Sequence, residues 1–76
     1  TNMSKIIAKE WRSGIDCVGI IATKDERTGK CRAYIGVAKN DSEGADAEYI
    51  HAHGAKLSKN EALAFFPDLA TEEFDE

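Results

Sequence analysis

Two apolar runs flank a short polar stretch in the first half of the chain: Val18-Gly19-Ile20-Ile21-Ala22 before it and Ala33-Tyr34-Ile35-Gly36-Val37 after it. Between them, Asp25-Glu26-Arg27-Thr28-Gly29-Lys30 reads as the loop of a β-hairpin. Gly29 supplies a positive φ, and Asp25 accepts hydrogen bonds from the turn backbone and from Thr28. With Asp25 and Lys30 flanking a four-residue loop, Ala22 faces Ala33, Ile20 faces Ile35 and Val18 faces Val37. All six then share one side of the sheet, the expected core face. A slip of one residue sets Ile20 against Gly36 and Ala22 against Tyr34, mixing the faces, so hydrophobic matching selects the first register.

The opposite face carries Cys17, Gly19, Ile21 and Thr23 against Ala38, Gly36, Tyr34 and Arg32. Two glycines opposed in mid-strand beside an Ile21/Tyr34 pair leave a shallow groove, into which another backbone or a flat ligand fits. This second face is the expected working surface, with self-association through it.

Lys5 to Arg12 fits a strand or a short helix; the strand is favoured, with Ile7, Lys9 and Trp11 on one face and Ile6 and Ala8 on the other. Ser13-Gly14 then connects it to the hairpin as a three-stranded meander. The second half is helical. Asn40 to Glu43 offers several N-caps and an Asn-x-x-Glu spacing, predicting a helix from about Ser42 to His53 that stops at Gly54. Its apolar stripe is Ala45, Tyr49, Ala52 and His53, with Ile50 adjoining. Ser58-Lys59-Asn60-Glu61 is a full capping box, with Leu57 placed to staple against Ala62. The helix it starts carries Ala62, Leu63, Phe65 and Phe66 and stops before Pro67. The expected fold is α+β: an antiparallel β-meander of two or three strands, packed on one face by two short C-terminal helices. Residues 1–67 form the globular domain and 68–76 an acidic tail that docks or frays.

Seventy-six residues make one domain near the lower limit for folding alone, which favours a homo-oligomer. An apolar content of 42% with 32% charged residues excludes wholesale disorder. The longest apolar stretch, Cys17 to Ala22, is too short to span a bilayer, and nothing around Met3, the apparent natural start, resembles a signal peptide. In the hairpin register the two cysteines lie on the order of 20 Å apart, beyond disulfide reach. Together these point to a reducing cytoplasm.

Charge sharpens the picture. The net charge is −4, yet residues 1–39 hold eight Lys/Arg and four Asp/Glu while residues 40–76 hold two and ten. A basic half joined to an acidic half suits head-to-tail assembly or docking on a basic partner.

Catalytic and metal chemistry find little support. His51 and His53 at i, i+2 on a helix point about 200° apart and cannot share a metal ion. Neither cysteine opens a helix that would lower its pKa, no carboxylate pair is singled out for acid–base work, and there is no glycine-rich phosphate loop. The chain reads as a non-enzyme with no cofactor, with a minor enzyme or nucleic-acid accessory protein as the third alternative behind a protein antagonist and a small-ligand binder. Its basic-aromatic grouping is Trp11, Arg12, Arg32 and Tyr34, with Lys24, Arg27 and Lys30 near the hairpin tip. Such a set suits a nucleotide stacked on Tyr34 or Trp11. Nucleic acid is a poor candidate, because the acidic half repels phosphates; the same carboxylates would instead mimic nucleic acid to a basic host protein.

Val18-Gly19-Ile20-Ile21, Thr28-Gly29, Ala33-Tyr34-Ile35-Gly36, Ala45-Asp46, Tyr49-Ile50 and Gly54-Ala55-Lys56-Leu57 together resemble a group of very small proteins encoded by bacteriophages and prophages, over residues 11–57. The resemblance implies no catalytic residues. It implies action by binding inside an infected or lysogenic bacterium, either blocking a host or defence protein or sequestering a signalling nucleotide. The expected binding set is Tyr34, Ile21, Gly19, Gly36, Arg32, Trp11 and Arg12.

Overall fold

The computed structural model describes residues 4–12, 18–37 and 45–75. Cys17, the Ser13-Gly14 connection and the caps expected within Asn40 to Glu43 lie outside these residues. The described chain is an α+β fold. Strands β1 (Ser4–Arg12), β2 (Val18–Asp25) and β3 (Cys31–Val37) are followed by helix α1 (Ala45–His53). Then come strand β4 (Ala55–Leu57), helix α2 (Lys59–Phe65) and a 3-10 turn at Pro67–Thr71. The four strands are antiparallel in the order β1-β2-β3-β4, a meander with α1 inserted before its last strand.

The hairpin forms in the expected register: Val18 faces Val37, Ile20 faces Ile35 and Ala22 faces Ala33. Its loop closes with the Asp25 N–H donating to the Lys30 carbonyl at 2.9 Å, while the Gly29 N–H donates to the Asp25 carbonyl at 2.8 Å. Gly29 has φ +74°, where an L side chain is strained. Asp25 Oδ1 accepts from the Arg27 N–H at 2.7 Å and the Thr28 N–H at 3.3 Å, fixing the turn by its own side chain.

Strand β1 is a strand throughout, but its facing differs from simple alternation. The pairing shifts between Ile6 and Ala8, so Ile7 is an extra residue in a β-bulge. Ile6 opposes Thr23 ahead of the bulge, whereas Ala8, Lys9 and Trp11 oppose Ala22, Ile21 and Gly19 after it. Ile7 and Ala8 therefore pack on the Ile20/Ala22 side, while Ile6 and Trp11 pack on the Ile21 side.

The helices divide between the two sides of the sheet instead of sharing one. On the first face, Ile20, Ala22 and Ala33 meet Ala62 and Phe66. The Ser58 box sets this helix: Ser58 Oγ accepts from the Glu61 N–H at 3.2 Å and Glu61 Oε1 accepts from the Ser58 N–H at 2.9 Å. These bonds hold the Glu61 carboxyl below its ordinary pKa. Spaced four apart, Ala62 and Phe66 point to the same side, and Leu57 packs into the same cluster. On the second face sits α1, with Ile50 buried against Ile21. The stripe expected on α1 is corrected accordingly. Tyr49, Ala52 and His53 are exposed and Ile50 faces inward, because Gly19 and Gly36 leave room beside Ile21 that its branched side chain shares with the Trp11 indole.

Candidate interaction surfaces

The groove expected over Gly19 and Gly36 exists, and the chain fills it itself. A Cβ on Gly19 would lie 1.6 Å from Trp11 Cζ3 and 2.5 Å from Ile50 Cδ1; a Cβ on Gly36 would lie 3.3 Å from Ile50 Cγ1. The indole and the isoleucine thus occupy the space that the absent side chains leave. Gly19 and Ile21 are buried, Gly36 is half-buried, and the second face is a core and not an open surface. The physical reason is close approach. Facing glycines let α1 sit nearer the sheet than side chains would allow, and burying Ile50 there removes apolar area from water.

The expected binding residues are accordingly separated. Trp11 lies in the second core with its Nε1 enclosed and without a hydrogen-bond partner. Arg12 ends β1 opposite Val18. Tyr34 is half-buried at the margin of the second core, with its ring 5.4 Å from that of His51. Arg32, exposed on the same face, is not open to a phosphate, since its Nε donates to Asp75 Oδ2 at 2.9 Å and its Nη2 also reaches that oxygen. Asp75 and Tyr34, in that order of effect, raise the Arg32 pKa by hydrogen bonding. The platform expected for a nucleotide is therefore dispersed: one aromatic ring is in the core and the cation beside the other is engaged.

The acidic C-terminal segment docks. The Cys31 N–H donates to the Glu73 carbonyl at 2.8 Å and the Asp75 N–H donates to the Cys31 carbonyl at 2.9 Å, forming a parallel bridge between Cys31 and Phe74. Side chains alternate about this bridge. Phe74 packs with the first core, and Lys24 Nζ donates to Glu72 Oε1 at 3.0 Å. Asp75 meets Arg32, a residue of the opposite face. The Arg32 guanidinium holds the Asp75 carboxyl below its usual range. Hydrogen bonding to Glu72 raises the Lys24 pKa. The Cys31 thiol beneath is buried, which pushes its pKa up, with the Glu72 charge adding to the effect.

Of the six aromatic side chains, Tyr49 alone stands mostly in solvent, at 60% exposure. Its ring lies 4.8 Å from that of His53, one turn further along the outer side of α1. The two histidines thus serve different tyrosines. Sequence reasoning placed Tyr49 in the apolar stripe and missed its exposure. The available signal was Ile50, the one large aliphatic side chain in a helix otherwise built of Ala, His, Tyr and acids.

No helix among the described residues is long and apolar enough to cross a membrane. No family model matches the sequence, and no curated protein or solved structure matches it either.

Proposed function

We propose that this protein acts by binding and not by turnover. In this reading it is a small phage-type interaction protein that engages a host protein, inhibiting or sequestering it, with the outer side of α1 as the contact. The carrying observation is the exposed Tyr49 ring, tilted against that of His53 on a helix that Ile50 anchors to the sheet. Tyrosine is enriched in protein interfaces because a rigid, amphipathic ring contributes much contact area at small entropic cost. A helix fixed from below presents that ring with little reordering. The acidic balance of residues 40–76 fits a basic partner.

The test is native mass spectrometry of the tagged protein recovered from bacterial cells, comparing wild type with Tyr49→Ala. The expected result is one host protein retained at fixed stoichiometry by wild type and reduced at least about tenfold by the substitution, the size of effect typical of an aromatic anchor. Equal retention by the variant, or no retained protein with wild type, rejects this reading.

A further inference from the structure

The docking of residues 72–75 has the form of a ligand bound in a site. Strand β3 is covered along part of its outer edge by β4, which pairs with Ala33, Tyr34 and Ile35. At Cys31, beyond the end of β4, the edge is completed by the chain's own C-terminal residues in the parallel direction. Main-chain bonds, a packed ring and two ion pairs define the fit. Two backbone hydrogen bonds bracket Cys31, at 2.8 and 2.9 Å. The Phe74 ring packs with the first core and lies under the Lys59 ammonium at 5.8 Å. Lys24 binds Glu72 on one side of the bridge, and Arg32 binds Asp75 on the other. This is the chemistry of strand addition, where main-chain bonds supply affinity and side-chain pairing supplies specificity. Here the specificity is for an extended segment with a phenylalanine between two acids.

The fastening is also light. Pro67 to Thr71 remains tied to the domain through Leu69, and Glu72 is already extended at φ −84° and ψ 151°. Only residues 72–75 need to swing away. Both ion pairs are partly exposed, with side-chain exposures of 38% and 33% for Lys24 and Glu72 and 50% and 37% for Arg32 and Asp75. Such pairs are individually weak and screened by salt.

We propose that the β3 edge at Cys31 is a docking site for an extended acidic segment of a partner protein, closed in the free protein by residues 72–75 and entered by displacing them. The site is distinct from the Tyr49 surface and does not rest on it.

The test uses the full chain carrying Glu72→Lys and Asp75→Arg, which turns the two grips into repulsions, and a fluorescently labelled peptide with the sequence of Thr71–Asp75. Fluorescence anisotropy is expected to show saturable binding to this variant and at least about tenfold weaker binding to wild type, whose own segment competes. Adding Arg32→Glu and Lys24→Glu to the variant is expected to abolish binding. In wild type, hydrogen exchange at the Asp75 amide is expected to run at least about tenfold faster than at Ala33 and to accelerate with salt.

Failure of the folded variant to bind the peptide overturns the proposal, as does equal binding to both chains. Unfolding of the variant, or Asp75 exchanging only as fast as Ala33, would make the segment an integral strand and overturn it as well. Wild-type dimers that fall to monomers on Asp75→Arg would assign the site to a second copy's segment and reject the partner.

Discussion

The two faces of the sheet are held by opposite means. On the first, Ile20, Ala22 and Ala33 present side chains that interlock with Ala62 of α2 and with Phe66, the residue that ends it. On the second, the central feature is the lack of side chains at Gly19 and Gly36, which draws Trp11 and Ile50 down onto backbone. A core of the first kind is written in the sequence as a run of apolar residues. One of the second kind is written as gaps, and what fills them is fixed only when the chain folds back.

The comparison breaks first at Gly19. Alanine there meets the Trp11 ring at 1.6 Å, so Gly19→Ala is expected to destabilise the fold by roughly 1–3 kcal/mol, the cost of overpacking. Gly36→Ala meets Ile50 Cγ1 at 3.3 Å and otherwise makes ordinary contacts, with Gly54 Cα at 3.6 Å and Ile50 Cγ2 at 3.7 Å, and is expected to stay within about 1 kcal/mol of wild type, because lost chain entropy in the unfolded state offsets the squeeze. Urea denaturation followed by the emission of the single tryptophan separates the two, with a red shift expected for Gly19→Ala alone. Equal effects would mean that the second face is not assembled by close approach.

On the first face the comparable weak point is local. Ser58→Ala removes one half of the capping box and is expected to cost about 1 kcal/mol, read in the same denaturation series.

The smallest effect is on pH dependence at the sheet edge. Asp75 has a folded pKa below its unfolded value, so its contribution is complete above the unfolded value and is lost as pH falls through the folded one. Below about pH 4 the Phe74 ring resonances are expected to shift toward random-coil positions before those of Ile20. Simultaneous loss would tie the segment to the global transition.

Much of the hairpin was legible in the sequence, because loop chemistry at Asp25 and Gly29 and matching of six apolar residues agree on one register. The Ser58 box was equally clear, being local and reciprocal. Other features were not. The bulge at Ile7 sits in a run of three apolar residues, Ile6 to Ala8, where alternation carries no phase information. Strand β4 is three residues long, too short for any periodic signal. The inward face of α1 was hidden because only Ile50 marks it, and glycines do not announce what they receive. The glycine groove itself was visible, but its occupant was internal. The partners of Glu72 and Asp75, at separations of 48 and 43 residues, could come only from the fold.

The bulge at Ile7 also makes β1 forgiving in length. Ile6 belongs to the second face and Ala8 to the first, so the residue between them is surplus to the alternation. Losing it would sacrifice the contacts of Ile7 itself while leaving every other side chain of the strand addressed to its present side. An ordinary strand offers no such spare position, since removing any residue there inverts all that follows. The strand that carries Trp11 to its glycine therefore contains a slack link, placed where the frame can change without moving the indole.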